Sequence, residues 1–205
     1  MRRRWMMFLL SALIPLGAAA VFAAEGHHMA GENGMMEKGG IRSQSTEKQI
    51  QVALSAAPPE IAQEATVKVY GADGKPIEAK KGTNGFVCYP DISNLSEPDP
   101  ICNNAAAEQW FNDLLGGKEK PTMTAPGISY MAKGGWHFEK EGKIVMADGP
   151  GVKKVQEPPH WMVFWPFDSK TTGLPEQVSA LGTYIMFEGT PYAHLMIYQH
   201  PKGVR

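Results

Sequence analysis

Beyond residue 22 this 205-residue chain has no apolar run long enough to cross a bilayer. It also lacks a charge excess. Twenty Lys and Arg stand against 21 Asp and Glu, a formal net charge of −1. A phosphate-backbone binder needs a basic surplus, so nucleic acid is excluded as the expected partner. The same balance argues against docking on anionic lipid. Cysteine is scarce, with only Cys88 and Cys102 present. They do not form C-x-x-C, and C-x-x-C-H is absent, which excludes covalent haem attachment. G-x-S-x-G, H-E-x-x-H and a phosphate-cradling glycine loop are missing too, so nothing supplies an activated nucleophile. Sixteen prolines and 22 glycines point to turns and short elements instead of long helices.

What is present begins at the N-terminus. Arg2, Arg3 and Arg4 precede an apolar stretch from Trp5 to Phe22, interrupted by Ser11, Pro15 and Gly17. Small residues follow at Ala23 and Ala24, and polarity jumps at Glu25. This is the layout of a secretory signal peptide over residues 1–24, cleaved after Ala23 or Ala24. Arg3-Arg4-Trp5-Met6-Met7 also loosely fits a twin-arginine signal. The expected location is the periplasm or the exterior. In that oxidising setting two lone cysteines pair, so a Cys88–Cys102 disulfide is expected. It would close a loop of about 15 residues, worth about 3 kcal/mol in the chain-entropy model. A dithiol metal site or redox pair is the rival, and the wide spacing disfavours it.

Residues 25–45 are rich in Gly, Met, Glu and His without a period, and read as a disordered tether. Residues 46–205 read as one domain. Thr46 caps a helix to residue 57 with Ile50, Ala53, Leu54 and Ala57 on one face. Residues 60–64 add a helical turn after Pro58-Pro59. Residues 66–70 alternate as a strand and turn back through Asp73-Gly74. Residues 86–89 form a short apolar piece, and a polar loop leads to Cys102. Asn104 caps a second helix to Leu115, with Ala107, Trp110, Phe111 and Leu114 on its buried stripe. Weaker strands fall at 128–132, 136–139 and 143–147, and clear ones at 160–165, 183–188 and 192–198. The fold class expected is α+β: a small, mostly antiparallel sheet with two or three helices packed on one side.

One short pattern occurs twice. His160-Trp161-Met162 and His194-Leu195-Met196 are both H-x-M in strands. Residues two apart share a strand face, so each imidazole projects with its thioether. If the strands are neighbours, His160, Met162, His194 and Met196 converge on a set that suits copper(I), because thioether sulfur is soft. The tether adds His27, His28, Met29, Met35 and Met36. The competing reading is plain packing, since Met fills cores and stacks on rings.

Two other classes stay open. Trp161, Phe164, Trp165 and Phe167, with Trp110 and Trp136 elsewhere, offer an aromatic cleft for a small molecule. A metal-independent hydrolase would use His160 or His194 as a base beside Asp91 or Asp168.

Gly82-Thr83-Asn84-Gly85, Cys88-Tyr89-Pro90-Asp91, Asp99-Pro100-Ile101-Cys102, Gly127-Ile128-Ser129-Tyr130-Met131, Gly134-Gly135 and Gly189-Thr190-Pro191-Tyr192-Ala193-His194-Leu195-Met196 together resemble an uncharacterised family of secreted bacterial proteins. The resemblance spans roughly residues 58–198. It implies an exported domain with a single fold and carries no activity. Pro158-Pro159 departs from the Gly-Pro expected before the first H-x-M. The combined expectation is an exported, disulfide-closed, non-catalytic binding protein. Copper(I) binding or delivery is its sharpest form, and the aromatic cleft is the alternative.

Overall fold

The computed structural model describes residues 40–93 and 97–199. The expected leader (1–24), most of the expected tether (25–39) and residues 200–205 lie outside them. Residues 40–45, read from sequence as the end of the tether, are folded. Ile41 is buried in a 3-10 turn, and Arg42 Nε sits 2.6 Å from Asp91 Oδ2 with its guanidinium over the Tyr70 ring. An apolar anchor and an ion pair hold a segment whose composition alone has no period.

α1 (Thr46–Leu54) is capped by Ser45 instead of Thr46, the Ser45 hydroxyl accepting from Lys48 N, and it ends three residues before the expected residue 57. α2 (Pro59–Ala62) has proline at its first position, where no N–H is needed. β1 (Thr66–Tyr70) buries Val67 and Val69 and leaves the residues between them half-exposed. It returns as β2 (Pro76–Lys80). β3 (Val87–Tyr89) and β4 (Ile101–Asn103) pair antiparallel with Cys88 opposite Cys102, and the two are joined as a disulfide. α3 (Ala105–Leu115) follows, capped by Asn104, whose Oδ1 accepts from both Ala107 N and Ile128 N. One side chain therefore starts the helix and ties it to β5 (Gly127–Met131). β6 (Gly135–Lys140), β7 (Lys143–Val145) and β8 (Lys153–Glu157) make a separate three-stranded sheet in the order β7-β6-β8. β9 (His160–Phe164), the short α4 (Ser169–Thr172), β10 (Thr183–Met186) and β11 (His194–Tyr198) complete the chain.

The fold is α+β. Its main sheet is larger than expected, with eight strands in the order β10-β11-β9-β5-β4-β3-β1-β2. Every neighbouring pair is antiparallel except β1/β3.

The helices do not share one side. Strand side chains alternate between faces. Cys102 joins the cluster of α1 and α2 alanines with Val67 and Val69. Its neighbours Ile101 and Asn103 must then point the other way. Ile101 packs in the cluster of Trp110, and Asn103 donates to Glu108 Oε1 of α3 at 2.7 Å. The first two helices cover one face and α3 the opposite one. α3 lies close because residue 127 is glycine: a Cβ there would stand 2.8 Å from Ala107 N. Among the described residues no helix is long and apolar enough to cross a membrane.

Candidate functional site

The two H-x-M strands are neighbours. β9 and β11 pair antiparallel with Met162 opposite Met196 and His160 opposite Tyr198. His160, Met162, His194 and Met196 all lie on the α3 face and are all buried. The register brings the two thioethers together. It does not bring the imidazoles together, because His194 lies four positions along β11 from the partner of His160. Four strand steps span about 13 Å.

Each imidazole already has a partner. His160 Nδ1 donates to the Pro158 carbonyl at 2.7 Å, and His194 Nδ1 to the Tyr192 carbonyl at 3.0 Å. A nitrogen facing a carbonyl oxygen must carry the proton, so Nε2 keeps the lone pair in both rings. Burial pushes both pKa values down, His194 to about 4, and both rings are neutral at pH 7. The His194 ring is enclosed by Trp110, Phe164 and Phe187, with centroids 5.1, 4.9 and 5.6 Å away. Among the described residues no three His, Cys, Asp or Glu side chains converge as a metal-binding group.

The His–Asp dyads expected of a hydrolase do not form. Neither imidazole is bonded to an aspartate. Asp91 takes the Arg42 guanidinium, and Asp168 caps α4 by accepting from Thr171 N at 2.9 Å. Each carboxylate is occupied by a structural task away from either ring.

A polar centre that the sequence reading missed lies at the His160 end. Glu157, 2 % exposed at the tip of β8, receives three donors. His137 Nδ1 lies 2.6 Å from Oε1, the Tyr184 hydroxyl donates to the same oxygen, and the Tyr198 hydroxyl donates to Oε2. Burial alone would raise the Glu157 pKa. The hydrogen bonds from His137, Tyr184 and Tyr198 outweigh it, and the carboxyl is held below its ordinary value. The ionised carboxylate in turn pushes both tyrosine hydroxyls upward, on top of their burial. Its donors come from β6 of the small sheet and β10 and β11 of the large one, so one buried charge joins the two sheets. Tyr198 lies four residues from His194 and shares its strand face by alternation. Nothing in the sequence links Tyr184 or Tyr198 to residues 137 and 157.

At the His194 end lies an open cleft of about 270 Å³. Trp110 forms its floor, with Trp165, Phe167, Met123 and Pro191 as walls and Lys120 at the edge. Trp110 is 2 % exposed and stacks on Phe164 with centroids 4.4 Å apart. Trp165 is 39 % exposed on the rim. Of the aromatic set expected from sequence, Trp110, Trp165 and Phe167 meet here, and Phe164 backs the floor. Trp161 belongs to the other face, stacked on Tyr130, and Trp136 lies under Lys154 on the small sheet.

No family model, curated protein or solved structure matches this chain. The likeness to secreted bacterial proteins therefore rests on the quoted motifs alone, and the cleft is read from its own chemistry. Among the described residues the lining is mostly apolar, with Lys120 as its single ionic group.

Proposed function

We propose that this chain is an exported, non-catalytic binding protein whose site is the cleft between Trp110, Trp165 and Phe167. One observation carries the reading: Trp110 of α3 meets Trp165 and Phe167, from the segment after β9, at one concavity, and Trp165 is left 39 % exposed there. Concave, mostly apolar sites with few polar groups are the usual form of a small-molecule site. A tryptophan left 39 % exposed beside the cleft fits a ligand contact. The Cys88–Cys102 disulfide supports export, because such bonds persist in oxidising compartments.

The test is a thermal-shift screen of small aromatic compounds against the folded domain and its Trp165→Ala variant. Hits should raise the melting temperature of the parent protein and leave the variant unmoved. Equal shifts in both proteins, or no hits, would refute the cleft.

Copper(I) is a second reading, favoured by the direct Met162–Met196 pairing and by two imidazoles with free Nε2 lone pairs. The ion would take both thioethers and one imidazole. A competition titration with a copper(I) chelator decides it: Met162→Leu with Met196→Leu should abolish tight binding, and unchanged affinity would end the idea.

A further inference from the structure

We infer that the cleft binds a small flat ring carrying an anionic group, with Lys120 as the charge partner; this rests on the cleft being the binding site. Among the described residues Lys120 is the only ionic one in the lining, which contains no carboxylate. It has no ion-pair partner among the described residues. Its neighbour differs. Lys118 Nζ lies 2.6 Å from Asp113 Oδ1, so that buried carboxylate is already neutralised and Lys120 is not.

The same aspartate holds the loop. Asp113 Oδ2 accepts from Thr122 N at 2.6 Å and from Thr122 Oγ1 at 2.8 Å, while the Tyr192 hydroxyl donates to the Lys118 carbonyl at 2.9 Å. Lys120 therefore projects from a short span pinned at residues 118 and 122, which limits the ordering cost of using it. Asp113 is a positioning residue here. The ligand size follows from the volume. About 270 Å³ is just under the range of drug-sized pockets, about 300–1,000 Å³, so one ring or two fused rings fill it. A lining that includes Trp110, Trp165 and Phe167 favours a flat aromatic body, and a cationic ligand would meet repulsion from Lys120.

The experiment compares 2-naphthoate with 2-naphthamide by titration calorimetry on the folded domain. The two share ring and shape and differ in charge. The acid should bind about three- to fivefold more tightly, the range of a solvent-accessible ion pair. The gap should close in Lys120→Met, persist in Lys120→Arg, and shrink at 1 M salt. Equal binding of acid and amide, both lost in Trp165→Ala, overturns the anion preference and leaves the cleft standing. A gap that survives Lys120→Met overturns the role of Lys120. If neither compound binds at millimolar concentration, or if Trp165→Ala changes nothing, the cleft reading falls as well.

Discussion

Two buried groups should impose opposite pH dependences on stability, and single substitutions should separate them. His194 is enclosed by aromatic rings, and burial lowers its pKa from 6.5 to about 4. Between those values the unfolded chain binds a proton that the folded protein does not. Stability therefore falls as pH falls through this window. Asp99 works the other way. Burial and the nearby Asp91 raise its pKa from 3.8 to about 7, against the opposing Ser93 and Lys154. Its Oδ1 is buried without a hydrogen-bond partner among the described residues. Below pH 7 the folded protein takes up the proton first, so stability rises as pH falls toward 3.8. From pH 7.5 to 4.5 linkage makes the His194 loss about 2 to 3 kcal/mol and the Asp99 gain about 3 kcal/mol. His160 adds to the loss, since burial lowers its pKa also. Glu157 and Asp113, both held below their ordinary values, lose their contribution as pH falls through the ordinary carboxylate range, Glu157 beginning at the acid end of this window and Asp113 below it. The parent protein should thus show a shallow profile made of two steep ones. Urea unfolding at pH 7.5, 6.5, 5.5 and 4.5 reads it. His194→Phe should gain stability toward acid, and Asp99→Asn should lose about 3 kcal/mol over the same range. Parallel profiles for the parent and both variants would refute the reasoning, because removing either group must tilt the curve.

Two further outcomes follow from the packing. Glu157→Gln removes the buried charge and turns an amide N–H₂ toward a donor, so it should cost about 3 kcal/mol in urea unfolding at pH 7; a cost under 1 kcal/mol would show that the sheets are joined by something else. Replacing Cys88 and Cys102 together by alanine opens a cross-strand link of sequence separation 14 and should lower stability by about 3 kcal/mol, checked by the urea midpoint of the double variant against the oxidised parent.

The readable parts of the fold are those with a period. Val67 and Val69 announce β1, the spacing of Ala107, Trp110 and Leu114 announces α3, and the alternation in 192–198 announces β11. Two strands escaped because they have none. β4 is three residues long and buried throughout, with Asn103 made acceptable by its bond to Glu108. β8 reads Lys-Lys-Val-Gln-Glu, and its innermost residue is a charge that only three remote donors make tolerable. The placement of helices on both faces was hidden for another reason. A helix stripe says that one side is buried. Only the alternation at Ile101, Cys102 and Asn103, once paired, says against which face of the sheet.

The same limit applies to the repeated H-x-M pattern. Identical spacing on two neighbouring strands implies convergence only if the register sets the two copies level. Antiparallel pairing at Met162 and Met196 fixes the centre and sends the histidines to opposite ends. One end is sealed by the Glu157 network, the other opens beneath Trp110. His194 is consequently better understood through its neighbours than through its twin. Its ring supports the floor of the cleft, and Ala193 beside it forms part of the wall. A change at His194 should therefore reach the cleft through Trp110. His160→Phe, at the far end of the same strands, should leave aromatic-compound binding unaltered while His194→Ala weakens it. Equal weakening by both would mean that the strands respond as one unit, and that the cleft is not the separate site its geometry describes.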